Sequence, residues 1–339
     1  MDLTQTPPPP AQMLQMITGF WTSCCIYTAA KLNIADCLAE KPQTAAQLAA
    51  ETQTHAPSLY RMLRALSSVG VFSENEKSEF ELTPLGNTLR SDVPGSMKAM
   101  AISQLGDHYA AWGNLLHSIK TGEIAFDNLH HMPVWKYYEM HPEDGVNFTK
   151  AMSGLTQGAI MSILPAYDFS SFATIVDIGG GNGALLHGIL SQATNAQGII
   201  FDEAYIKDEA LQNIEKNNLQ QRCTFEAGSF FVEVPAGASA YLLKLVLHDW
   251  DDEKAGKILA NVYKAMPPEG KLLIIESVIP DGNTPHPGKF IDVNMLAMTG
   301  GKERTEKEWK NLIEKAGLKI VNVIATHSPT VSIIETEKS

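Results

Sequence analysis

From Ser171 to the carboxyl end, short apolar runs alternate with amphipathic helical stretches, and nothing else in this 339-residue chain restricts its fold as strongly. "TIVDIG" leads to a helix from Gly183, and "GIIFD" leads to a helix from about Ala204. After "CTFEAG" and "AYLLKLVLH" comes a helix from Asp251, and after "KLLIIES" a helix from Thr305. Such alternation predicts a parallel sheet with helices on both faces, in which ligands bind beyond the carboxyl ends of the strands. The last two runs, "KIVNVIATH" and "TVSIIETE", are separated by only Ser328 and Pro329. They must pair antiparallel, because a parallel crossover needs about a dozen residues.

The first strand enters a glycine-rich turn, "VDIGGGNGA", Val176 to Ala184. Glycines are needed where the backbone takes positive φ or approaches a ligand closely, and four in five residues carry an entropic cost that ordinary turns avoid. Dinucleotide, flavin and sulfonium cofactors all use turns of this kind. Here the spacing is G-G-G-x-G rather than G-x-G-x-x-G, and the antiparallel final pair does not belong to an all-parallel dinucleotide sheet. The second strand ends in Asp202, 19 residues past Gly183, where a carboxylate takes both hydroxyls of a ribose. These details favour S-adenosylmethionine over a nicotinamide cofactor.

Before this region the pattern is helical. The Pro7 to Pro10 run reads as a short extended tail. "GFWTSCCIYTAAKLNIADCLAE" follows as a helical segment, then "TAAQLAAET" with Thr44 as its cap. "APSLYRMLRALSSVGVF" puts Leu59, Leu63, Leu66 and Val69 on one face, and "VFSENEKSEFELTPLG" gives two extended runs around a polar turn. Three helices and a hairpin make a winged helix. Between Trp21 and Asp92 six basic residues face eight acidic ones, whereas a groove-reading helix needs a basic face. Protein contact, and dimerisation in particular, suits it better than DNA. From about Gly95 to Pro165 the chain is helical and rich in Met, His and aromatic residues, between two domains, where small-molecule pockets form. His108, His130, His131 and His141 of this stretch read as core or solvated histidines, with a place in the wall of a small-molecule pocket as the alternative for some of them.

Composition excludes several classes. The net charge of −12 argues against a nucleic-acid polymer as main partner. The amino terminus has no basic region or apolar signal core and no apolar run reaches a membrane span, so the chain reads as cytoplasmic. Cys24, Cys25, Cys37 and Cys223 form no C-x-x-C pair and read as reduced, mostly buried thiols. "HDWDDE", His248 to Glu253, lacks the glycine and twelve-residue layout of a calcium loop. Its acids suit the positive end of a helix, and no metal is expected.

Taken together, "VDIGGGNGA", "GSFFVEVPAGASAYLLKLVLHDWDDEKAGKIL", "IIESVIP" and "DVNMLAMTGGKERT" resemble, in order and separation, the O-methyltransferases of the caffeic acid and hydroxyindole type. The resemblance spans nearly the whole chain. It implies an α/β fold: a class I methyltransferase Rossmann-like sheet with an antiparallel C-terminal hairpin, preceded by an α-helical winged-helix dimerisation domain. The corresponding boundaries are 1–95 for dimerisation, 96–165 for a helical linker contributing to the substrate pocket, and 166–339 for the cofactor-binding catalytic domain. It implies His248 as general base, with Glu276 and Glu303 holding base and acceptor. Asp202 would take the ribose, Lys244 would lie near the adenine, and Gly179 and Gly181 would lie against the cofactor. Phe148, Met152 and Met295 would line the acceptor pocket. Ser229, before Phe230, stands where the family usually has Asp near the adenine, and "DEA" from Asp202 replaces D-x-P. A hydroxyl can still make a hydrogen bond there, without charge.

The expected reaction is methyl transfer from S-adenosylmethionine to a hydroxyl of a small aromatic or conjugated secondary metabolite, by a homodimer. Complete removal of a phenol proton by an ordinary imidazole costs about 5 kcal/mol, so proton transfer must accompany attack with the imidazolium oriented by a carboxylate. Glu276 is the expected orienter, because it ends the strand next to that of His248. Two rivals are a relative diverged to other chemistry, such as hydroxylation of a polyketide-like substrate, and a winged-helix ligand-sensing regulator. Retention of His248, Glu276 and Glu303 speaks against the first, and the acidic winged helix against the second.

Overall fold

The computed structural model describes residues 7–328 and 330–339. The chain forms two compact units, one comprising residues up to Ala110 together with His141–Gly154, the other Ala111–Met140 together with Leu155–Ser339.

The N-terminal unit contains α1 (Pro9–Lys31), α2 (Ile34–Cys37), β1 (Gln43–Thr44), α3 (Ala45–Thr52), α4 (Ala56–Ser68), β2 (Phe72–Glu74), β3 (Glu79–Leu82), α5 (Pro84–Asn87) and α6 (Lys98–Gln104). The polar turn between β2 and β3 closes the expected hairpin, and β1 adds to its far side in the order β1-β3-β2. Thr44 caps α3 through a full capping box with Gln47. Leu48, Leu63 and Leu66 pack against Phe72 and Phe80 in the unit's core. Three readings change here. Pro9 opens α1 rather than continuing an extended tail, since the missing N–H of a proline is no loss at a helix start. Asn33, in the left-handed region at φ 57°, separates α1 from α2. Val69 is the C-terminal cap residue of α4 and is 50% exposed, unlike Leu59, Leu63 and Leu66.

Helices α7 (Asp107–Gly113), α8 (Leu115–Thr121), α9 (Ala125–His130), α10 (Val134–Met140) and α11 (Pro142–Ile163) follow. The second unit is then built on β4 (Thr174–Ile178), α12 (Ala184–Gln192), β5 (Gln197–Asp202), α13 (Lys207–Lys216), β6 (Cys223–Ala227), β7 (Ala240–Lys244), α14 (Asp252–Ala265), β8 (Lys271–Glu276), α15 (Gly288–Met298), α16 (Glu306–Lys315), β9 (Leu318–Ala325) and β10 (Ser332–Lys338). The sheet runs β6-β5-β4-β7-β8-β10-β9. Its first five strands are parallel, and β10 is antiparallel to both neighbours. Strand order therefore reverses between β4 and β7, and the crevice outside their carboxyl ends is where such sheets bind ligands.

The near-continuous apolar strands are explained by two separate cores. Val176, Tyr241, Leu243, Leu272 and Ile274 pack with α14 and α16 on one face. Ile175, Ile200, Leu242, Leu273 and Ile275 pack with α12 and α13 on the other. A sheet covered on both faces has no solvated side to produce alternation.

Four further local readings are revised. The helix expected from Ala204 begins with a 3-10 turn, Ala204–Ile206, before α13. The final hairpin is antiparallel as expected, but its strands end at Ala325 and restart at Ser332, so the link is longer than Ser328 and Pro329; Pro329 lies outside the described residues. β7 stops at Lys244, because Leu245 takes a positive φ of 51°. Of the four thiols only Cys223 is buried; Cys24, Cys25 and Cys37 are half-buried. Among the described residues, no helix is long and apolar enough to cross a membrane.

Candidate active site

Four strand ends supply the site: Ile178 before the glycine turn, Asp202, Lys244 and Glu276. Gly179, Gly181 and Gly183 take φ of 67°, 55° and 81°, a region that costs other residues strain. A side chain on Gly179 would press on Val246 at 2.8 Å and approach Phe230, whereas one on Gly181 would point into open space. The Gly181 N–H donates to Asp202 Oδ2 at 2.7 Å, and the Glu203 N–H donates to Asp202 Oδ1 at 2.7 Å. Each carboxylate oxygen keeps a second acceptor position. Phe230 packs edge-on against Phe231 and Trp250, with centroids 4.9 and 6.3 Å away. Ser229 is half-buried, and its carbonyl accepts from the N–H groups of Val232 and Glu233 in the adjoining turn.

Asp177, not singled out in the sequence, lies buried beneath this turn, and burial pushes its carboxyl up to about 7 against the pull of nearby Lys244. Burial also lowers the Lys244 ammonium, with Asp177 and Glu276 opposing; Lys244 Nζ donates to Thr156 Oγ1 at 3.0 Å. The available signal was a lone carboxylate inside an otherwise apolar parallel strand, which must be paired or protonated.

His248 does not end the strand. It sits in a short 3-10 turn, Leu247–Asp249, and is buried. Its Nδ1 is 2.7 Å from Glu303 Oε1, a short charge-assisted contact. Glu276 plays a different part from the one expected. Its Oε2 lies 3.7 Å from His248 Nδ1, while its Oε1 accepts the N–H groups of Val246 and Leu247 at 2.9 Å and of His248 at 3.4 Å. The strand-end carboxylate thus fixes the main chain of the turn, and the carboxylate arriving from the loop after α15 orients the ring. That loop is tied to the turn by Lys302 N–H, which donates to the His248 carbonyl at 2.9 Å, and to α15 by Glu303 N–H, which donates to Asp292 Oδ1 at 2.9 Å. Gly301 allows the approach, since a Cβ there would lie 2.0 Å from the His248 carbonyl oxygen.

Burial disfavours the imidazolium, but Glu276, Asp249 and Glu303 outweigh it and push His248 up to about 10. Burial pushes Glu276 up to about 7 and Asp249 up to about 6. His248, Glu276 and Glu303 also place one ligand atom each within 4.8 Å of one another. However, Nδ1 already faces Glu303 at hydrogen-bonding distance and Glu276 Oε1 is committed to main-chain N–H groups. A ring held in that way turns Nε2 away from Glu303, with Asp249 Oδ1 3.9 Å from it, which is the arrangement of a base.

Of the expected pocket residues, Met295 is buried on α15. Its helix is tied to α7 by Trp112 Nε1–H donating to Asn294 Oδ1 at 2.8 Å. Phe148 and Met152 belong to the N-terminal unit, where Phe148 stacks on buried His108 with centroids 6.1 Å apart. His130 is half-buried against Phe126 and Tyr137, and His131 and His141 are exposed.

Residues 112–319 match the O-methyltransferase domain family, and residues 14–92 match the O-methyltransferase dimerisation domain. The chain belongs to the O-methyltransferase family. It is 43% identical over 323 residues to a phenazine O-methyltransferase of Lysobacter antibioticus, covering 95% of this chain and 94% of that one. The crystal structure of LaPhzM superposes with a TM-score of 0.95 at 42% identity, over 98% of this chain and 100% of that chain. The structure of NcsB1, an O-methyltransferase from neocarzinostatin biosynthesis in complex with S-adenosylmethionine and 2-hydroxy-5-methyl naphthoic acid, gives 0.81 at 32% identity, covering 94% and 96%. This O-methyltransferase has the parallel sheet and antiparallel hairpin expected of a class I methyltransferase.

Proposed function

We propose that this O-methyltransferase uses S-adenosylmethionine to methylate a hydroxyl of a small planar aromatic metabolite, with His248 as general base. The observation that carries the reading is the 2.7 Å contact between His248 Nδ1 and Glu303, made at the sheet edge that also holds the glycine turn. The cofactor fits the residues present: open space over Gly181, two acceptor oxygens on Asp202, and the Phe230 ring beside Gly179. Gly179, Gly181, Asp202, Ser229, Phe230 and Lys244 would hold it. When bound, it supplies an electrophilic methyl on a cationic sulfonium.

The protein's own part is to receive a proton. Glu276, Asp249 and Glu303 raise the proton affinity of the His248 ring, which narrows the gap of about 5 kcal/mol between a phenol and an ordinary imidazole. Glu303 holds the resulting imidazolium, and Glu276 keeps the turn from shifting as charge develops. A cationic ligand beside this acidic cluster lowers the ring's proton affinity, which favours the neutral base once the cofactor is in place.

Phe148, Met152 and Met295 are proposed to shape the acceptor site. The relatives act on or bind a phenazine and a hydroxynaphthoic acid, which supports a fused-ring hydroxyl as the acceptor class. Functionally, residues 1–95 dimerise, 96–165 contribute to the pocket and 166–339 carry catalysis, and the chain works as a homodimer in the cytoplasm without nucleic acid. The dimerisation-domain match and the exposed apolar side chains of α1 support the homodimer.

The reading is tested by incubating the protein with methyl-labelled S-adenosylmethionine and a panel of hydroxyphenazines, hydroxynaphthoic acids and simple phenols. Label on the oxygen of a fused-ring hydroxyl is the expected result. Label on carbon or nitrogen only, or on no aromatic acceptor, would overturn it.

A further inference from the structure

The turn that carries His248 is held from two sides by opposite charges. Glu276 takes its N–H groups, and on the other side lies Arg304, a fully buried guanidinium adjoining Glu303 in the chain. A buried cation persists only where its charge and every donor are satisfied. Arg304 Nη1 donates to the carbonyls of Leu247 at 3.1 Å and Lys302 at 3.2 Å. Nη2 donates to the carbonyl of Trp250 at 3.0 Å and to Asp252 Oδ1 at 2.9 Å, and Nε donates to the same carboxylate oxygen at 3.0 Å. The fork thus makes five hydrogen bonds to four acceptor atoms, three carbonyls and one carboxylate oxygen, and its central carbon lies 5.1 Å from the centroid of the Trp309 ring. Two of the acceptors flank His248 in sequence, and a third is the carbonyl immediately before Glu303.

We propose that Arg304, anchored by Asp252, is a positioning residue that sets the His248–Glu303 distance. It rests on the reading of His248 as base. His248 and Glu303 come from separate loops, and a fixed planar fork bonded to the main chain of both holds their separation constant. A lysine offers three donors on a flexible stem and cannot span the three carbonyls and the carboxylate together. Asp252 is more than half exposed, and Asp252→Asn removes the countercharge of Arg304 while keeping an acceptor oxygen for its fork.

Arg304→Lys and Asp252→Asn are compared with the wild type in three measurements: S-adenosylhomocysteine affinity, kcat and KM for the best acceptor of the screen, and the nitrogen-edited NMR signal of the His248 Nδ1 proton. In the wild type that proton should lie far downfield because of its short contact with Glu303. Arg304→Lys is expected to lower kcat by about a hundredfold, as misplacement by an ångström does. Cofactor-product affinity and acceptor KM should stay within about threefold, and the downfield signal should move upfield or vanish. Asp252→Asn should give a smaller change of the same kind, and it decides the matter if the lysine variant does not fold. Unchanged kcat, or a lowered kcat with the downfield signal intact, would overturn the proposal. Should the wild type methylate no acceptor, the functional reading fails by itself, while the NMR signal still tests the link between Arg304 and the pair.

Discussion

At the scale of single residues, the site stores protons. His248 is pushed up to about 10 and Glu276 up to about 7, so both bind protons more tightly in the folded chain than in the unfolded one. A raised folded pKa gives stability that is complete below the unfolded value and lost as pH rises through the folded one. Stability should therefore fall from about pH 4.5 to 7 on account of Glu276, and from about 6.5 to 10 on account of His248. After burial, Glu276 is the strongest influence on His248, and it raises that pKa. Glu276→Gln should flatten the fall in urea midpoint between pH 5 and 7, and should move the acid limb of the kcat/KM profile to lower pH. A limb that stays in place would show that Glu276 does not set the base. Part of this was legible in the sequence: Asp202 ends β5 as its motif implied, while His248 lies in a turn past the end of β7. The exchange of parts between Glu276 and Glu303 was not, because a strand end is visible in sequence while the path of a loop after α15 is not. Arg304 and Gly301 were illegible for the same reason, since their partners lie about 50 residues away in the chain.

At the scale of elements, local signals were most reliable where capping chemistry fixed them. Thr305 opens α16 with a full capping box involving Glu308, and Asp251 caps α14 through the Lys254 N–H. Thr305→Ala should therefore cost about 1 kcal/mol in chemical denaturation. A loss indistinguishable from zero would mean that tertiary packing alone holds the helix start. The burial of α16 is strong, with Trp309 fully buried and its Nε1–H donating to the Ser277 carbonyl at 2.9 Å. The acidic run after His248 divides further than its composition suggests. Asp251 is a cap, whereas Asp252, read as a dipole partner, also bonds Arg304 and Lys302. Strand ends were less legible: β7 stops before the apolar run does, because hydrophobicity continues through the turn at 245–249 as readily as through a strand.

At the scale of the whole molecule, the alternation from Ser171 onward was enough to specify the parallel sheet and its hairpin, and the acidic winged helix pointed toward protein contact. What composition could not supply was the surface on which copies meet. In α1, Met13, Leu14, Met16, Ile17, Phe20 and Trp21 are all exposed, between 46% and 76%. An apolar stretch of that extent is costly in water and marks an interaction face. Trp21→Glu should convert the dimer to a species of half the mass in light scattering, and an unchanged mass would place the interface elsewhere. The central claim, that His248 accepts the proton in methyl transfer to an aromatic hydroxyl, is tested most directly by the rate of labelled methyl transfer by His248→Ala, with S-adenosylhomocysteine affinity measured on the same sample. A rate at least about a hundredfold lower with unchanged affinity is predicted; transfer at the wild-type rate would contradict the account.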